Sequence, residues 1–188
     1  MLRNIAVYTV LLTLLIFVAT SCDDTPQQNR SVISVASIND NVAPLLSDVV
    51  FNDGTSGDSY VPDYVEVIME NRPYSELIIT DPGYPYGNFQ VTSYTVEWTR
   101  TDGGSPALPN YTSDMSMVIP SGEFNASDVL IVTVSNKTNP PLSDLAGTPN
   151  TITMNAKVTF TGHEVGVDRE TEVIANIGVL FGDVINVE

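Results

Sequence analysis

One histidine and one cysteine are present in 188 residues, so the chemistry open to this chain is narrow. His163 stands beside Glu164 in "TGHEVG", a pairing that could serve as a general base or contribute to a metal site. A transition-metal site ordinarily needs several His or Cys ligands, and this chain cannot supply them. A serine triad would have to recruit His163, yet no G-x-S-x-G elbow is present. The simpler reading of His163 is a solvent-facing residue at a strand end. Two carboxylates can hydrolyse a glycosidic bond without histidine, but among 23 acidic residues no pair stands out by its spacing. We expect no enzyme and no cofactor.

A hard cation is the more serious candidate. "NDGTSGDS" (52–59) gathers side-chain oxygens in a glycine-rich loop, with Asn52, Asp53 and Asp58 as the calcium candidates. The loop has neither the regular Asp/Asn positions nor the closing Glu of an EF-hand, so a solvated loop is its other reading. "TDGG" (101–104) is more simply a hairpin turn. Tyr84 and Tyr86, two apart in "DPGYPYGNF", could stack on sugar rings or anchor a protein contact at little entropic cost. They could equally fold back over the edge of a core. Asn29, Asn110, Asn125 and Asn136 each begin an N-x-S/T triplet, which in a Ser/Thr-rich chain reads as coincidence.

Cys22 has no partner for a disulfide. It follows a segment in which Arg3 is the only charge, residues 5–18 are mostly apolar and Ala19, Thr20 and Ser21 are small or polar. That run is shorter than the roughly 20 apolar residues a spanning helix needs, and it ends like a cleavage site. "ATSC" (19–22) resembles the lipobox of bacterial lipoproteins, with Ala19 where leucine is usual. The resemblance implies removal of residues 1–21 and acylation of Cys22, with two or three chains giving a durable membrane anchor. Residues 22–30 then form a polar tether without apolar groups to bury. Asp23 resembles a retention signal for the inner membrane of enteric bacteria, a rule that does not transfer to other groups. The membrane and the face stay open.

Charge narrows the partners. Seven basic residues stand against 23 acidic ones, a net charge of −16, and loss of Arg3 would make it −17. Phosphate recognition depends on basic clusters, and this chain has none, so nucleic acid is excluded as a partner. Direct docking of the domain on anionic lipid is opposed by the same repulsion.

The elements that would carry these residues are strands. "SVISVASI" (31–38), "VPDYVEVIMEN" (61–71), "FQVTSYTVEWTRTDGG" (89–104), "ASDVLIVTVSN" (126–136), "TITMNAKVTFTG" (151–162) and "ETEVIANIGVLFGD" (170–183) alternate or are β-branched. Shorter candidates lie at 47–51, 76–80 and 115–119. No segment after Cys22 keeps a helical period. Proline and glycine, twelve of each, fall mostly between the candidates, where turns need them. The last two strands should pair through "HEVGVDR", and Trp98 shares a face with Tyr94 and Val96, which makes it a core residue.

Alternating strands, Trp98 on a middle strand and a final hairpin resemble an immunoglobulin-like or fibronectin-type-III-like sandwich on a bacterial lipoprotein. The resemblance implies an all-β, antiparallel sandwich of seven to nine strands over 31–188, a rigid scaffold for display or contact. The inter-sheet disulfide of antibody domains is absent, because Cys22 is alone. The expected function is a non-catalytic cell-envelope lipoprotein held in the membrane by lipid on Cys22. It would act as a protein-interaction, adhesion or structural module with a protein partner at the envelope. The alternative is a glycan-binding module using the Tyr84/Tyr86 loop.

Overall fold

The structure is a computed structural model and describes residues 30–52, 57–74, 87–167 and 169–183. Eight strands are seen among them: β1 (Ser31–Ile38), β2 (Leu45–Asp48), β3 (Asp63–Pro73), β4 (Phe89–Arg100), β5 (Tyr111–Ile119), β6 (Phe124–Val132), β7 (Thr151–Glu164) and β8 (Glu170–Gly182). One short helix, α1 (Val134–Thr138), follows β6. The chain is all-β in two sheets, one ordered β1-β3-β6 and the other β2-β8-β7-β4-β5. Every neighbouring pair is antiparallel except β2 with β8, which run parallel.

Period-two patterning explains the layering. β7 buries alternate residues from Ile152 through Phe160, and β8 buries Ala175, Ile177, Val179 and Phe181 opposite it. Their hairpin is in register from Thr151↔Gly182 to His163↔Glu170, so each inward side chain meets an inward neighbour. From the other sheet Val65, Val67 and Met69 of β3 complete the same core. Trp98 is buried there, its ring centroid 5.7 Å from that of Phe181.

Irregularities sit where strands must bend. β4 carries an extra residue at Thr92 relative to β7, and Gly162 lies against that bulge. A Cβ on Gly162 would come within 2.3 Å of the Gln90 carbonyl oxygen, so only glycine fits. Asn39, Asp40 and Asn41 turn the chain between β1 and β2 with φ of 51°, 52° and 59°, a region that Asn and Asp tolerate better than most residues.

Several boundaries depart from the sequence reading: the short candidates at 47–51 and 115–119 are β2 (Leu45–Asp48) and β5 (Tyr111–Ile119), and two other shifts bear on the site. The apolar run expected to continue as a strand to Asn136 ends at Val132. Thr133 then caps α1: its hydroxyl accepts from the Asn136 amide at 3.0 Å, and Asn136 Oδ1 accepts from the Thr133 amide at 3.0 Å. The β7 strand, expected to stop at Gly162, runs on to Glu164 and places that carboxylate on the inner face.

Candidate functional site

Ionisable groups are drawn inside at two opposite ends of β3. At its start, Lys137 projects from α1 with only 2% of its side chain exposed. Its ammonium donates to Asp63 Oδ1 at 2.8 Å and to the Asp48 carbonyl at 2.6 Å. Ser47 Oγ donates to the other oxygen of Asp63. Ser47 and Asp48 belong to the five-stranded sheet and Asp63 to the three-stranded one, so this lysine ties the sheets together at one corner. An unpaired ammonium there would carry a large desolvation cost, and two acceptors with one formal counter-charge offset it.

At the far end of β3, Ser31 lies opposite Pro73, and here Glu164 is completely buried. The amide of Gly87 donates to its Oε1 at 2.7 Å, and the amide of Arg30 donates to its Oε2 at 2.8 Å. The Ser31 hydroxyl adds a third donor at 3.3 Å, and the Arg30 guanidinium lies 3.3 Å from Oε1. A carboxyl group contacted this many times on both oxygens is fixed in place as part of the structure. His163, its neighbour, points to the other face of β7 and is half-buried. The pair proposed from "TGHEVG" is therefore split between two sides of one sheet.

A third cross-tie runs through tyrosines. The Tyr94 hydroxyl of β4 donates to the Leu130 carbonyl of β6 at 3.3 Å. Tyr111 of β5 reaches Leu130 as well, and the Ile131 carbonyl at 3.1 Å. Burial pushes the Tyr111 phenol above its usual range, and the nearby Tyr94 and Tyr64 phenols push the same way. Leu130 and Ile131 lie on β6, the edge strand of its sheet, so the tyrosines satisfy edge carbonyls from the facing layer.

The loop candidates fare differently. Asn52 Nδ2 donates to Asp58 Oδ1 at 3.0 Å beside the Phe51–Ser59 bridge, while Asp53 lies outside the described residues. No group of three or more His, Cys, Asp or Glu is placed to hold a metal among the described residues. In "TDGG", Asp102 is occupied: Arg100 holds it with two hydrogen bonds at 2.9 and 2.6 Å and the Gly104 amide donates at 3.0 Å. The Arg100 hydrogen bonds, followed by that of Gly104, hold the Asp102 carboxyl well below the usual carboxylate range.

Cys22, Tyr84 and Tyr86 lie outside the described residues, as does the strand expected at 76–80. Three of the N-x-S/T asparagines have structural tasks. Asn110 Oδ1 accepts from the Trp98 amide at 3.1 Å, Asn125 Nδ2 donates to the Val118 carbonyl at 2.7 Å, and Asn136 is buried in the α1 cap. The polar cross-ties at Lys137 and Glu164 were not foreseen as such. Their one available signal was the strand period through Gly162, which carries Glu164 to the inner face. No protein-family model matches the chain, and no similar sequence was found among curated proteins.

Proposed function

We propose that this chain is a lipid-anchored, non-catalytic cell-envelope protein whose immunoglobulin-like β-sandwich serves as an interaction, adhesion or structural module. The strand order supports the fold part of this reading. In immunoglobulin-like nomenclature β1-β3-β6 corresponds to A-B-E, and β8-β7-β4 corresponds to G-F-C with β5 as C′. β2 then takes the place of a first strand that switches sheets to run parallel beside the last.

The observation that carries the functional part is the clamp on Arg30. It is the residue at which the polar segment following Cys22 enters the fold, and both its amide and its guanidinium are held by buried Glu164. A domain pulled from its N-terminus by a membrane anchor needs that entry point fixed, and a buried charge-assisted clamp provides it. The acidic surface suits a display module, since net charge favours solubility and opposes self-association.

Labelling cells with an alkynyl fatty acid tests the anchor. The wild-type protein should take up label and partition into detergent, and Cys22→Ser should do neither. A wild-type chain that stays unlabelled and aqueous sinks the reading.

A further inference from the structure

The outer faces of the two sheets treat charge differently. On the five-stranded face Glu97 and Lys157 are directly opposed across β4 and β7 and meet at 2.7 Å. Beside them the hydroxyls of Thr95 and Thr112 share a hydrogen bond at 2.9 Å, and Asn155 donates to Asn176 at 3.3 Å. At its centre, that face pairs opposite charges across neighbouring strands.

On the three-stranded face, β3 and β6 place Glu66 directly opposite Asp128. Both are exposed, and neither side chain has an ion pair or hydrogen bond among the described residues. The single cation of this face among those residues, Arg72, is held by Glu70 at 2.9 Å and donates to Ser34 at 3.3 Å. Like charges directly opposed in a sheet are destabilising, so folding alone does not account for the pair. The rows around it are apolar. Tyr64 faces Leu130 on one side, Ile68 faces Ala126 on the other, and Phe124 follows opposite Glu70. Tyr64 is 56% exposed and Phe124 58%.

Two opposed carboxylates with an exposed ring, Tyr64, in the adjacent row match the guanidinium group. It offers five donors in a planar fork, bridges carboxylates and stacks on aromatic faces. Two copies of this chain would bring like charges together, and anionic lipid or phosphate would be repelled. A hard cation takes six to eight oxygens, more than two carboxylates supply. We propose that the outer face of β1-β3-β6 docks an arginine-bearing basic segment of a protein partner, with Glu66 and Asp128 receiving the guanidinium, Tyr64 in the adjacent row beside it and Phe124 two rows further along for the rest of the segment. The proposal rests on reading the chain as an interaction module.

The test is fluorescence anisotropy with full-length protein in neutral detergent and a dye-labelled Arg-Ser repeat octapeptide as probe. Glu66→Gln/Asp128→Asn should weaken binding by about tenfold or more, as expected for removing a receiving charge pair. Asp114→Asn/Glu172→Gln removes the same charge from the other sheet's outer face and should keep binding within about twofold, because distant screened charges contribute little. Glu66→Lys puts an opposite charge across from Asp128, so it should fold at least as well as wild type while abolishing binding. Equal weakening by both double variants, a wild type that does not bind the probe, or calcium alone binding and displacing it would overturn the proposal. Fatty-acid labelling of the same preparations separates the two readings. Label without peptide binding overturns only the docking face, whereas absence of label overturns the anchored module.

Discussion

Lys137 and Asp63 form an ion pair at 2.8 Å in which the lysine side chain is 2% exposed and the aspartate 18%. This asymmetry decides what each partner's loss should do. Asp63→Ala strands a buried ammonium with only the Asp48 carbonyl as acceptor and should cost about 3–5 kcal/mol, the range for breaking a buried pair. Lys137→Met leaves a carboxylate that keeps Ser47 and some solvent, and should cost about 1–3 kcal/mol. Urea denaturation of the two single variants measures the difference. Losses that are equal and below about 1 kcal/mol would place the pair with solvent-screened surface bridges.

Glu164 should behave as the clamp of the N-terminal entry. Glu164→Ala orphans the Gly87 and Arg30 amides and should cost about 2–4 kcal/mol. Glu164→Gln keeps one acceptor oxygen and should lose less. Hydrogen exchange gives the local readout: Arg30 and Ser31 should lose protection in both variants, while mid-strand amides of β7 and β8 should keep theirs in Glu164→Gln. Unchanged exchange at Arg30 would contradict the clamp.

Alkaline pH should unlock the tyrosine cross-tie. The Tyr111 phenol is raised in the fold by burial first, so the folded state favours its neutral form. A raised pKa contributes stability that is fully present below the unfolded value, about 10 for tyrosine, and is lost as pH rises through the folded value. Unfolding free energy should therefore fall above about pH 10. Tyr111→Phe should flatten that fall and cost about 1–2 kcal/mol at neutral pH through the lost hydrogen bonds to Leu130 and Ile131. An alkaline limb identical in wild type and variant would assign the loss elsewhere.

The long alternating strands were legible because their burial is one-sided. β1 and the start of β7 and β8 fall where the residue pattern puts them, and Trp98 is in the core. What escaped were features that depend on distant partners. Lys137 and Asp63 are 74 positions apart, and a lysine in "VSNKT" carries no local sign that it will be enclosed. α1 hid behind the β-branched run that precedes it, although Thr133 and Asn136 stand at capping-box spacing. Glu164 was within reach: continuing the alternation past Phe160 and Gly162 puts it inside, but the strand was read as ending at Gly162 with His163 at its end.

Trp98 supplies a direct probe of the core. Its ring packs on Phe181 with centroids 5.7 Å apart, and its indole nitrogen is buried without a hydrogen-bond partner among the described residues. As the single tryptophan, it should emit at short wavelength in the folded protein and shift to the red on unfolding. Trp98→Ala should cost about 3–5 kcal/mol, the range for truncating a large buried aromatic. Trp98→Phe should cost less, because it keeps part of the ring volume and removes a buried donor that has no acceptor. Phe181→Ala combined with Trp98→Ala should fall short of the sum of the single losses by about 0.5–3 kcal/mol, as contacting residues do. Additive losses would mean the two rings do not share one cavity. A Trp98→Ala cost under about 1 kcal/mol would instead place the indole at the surface.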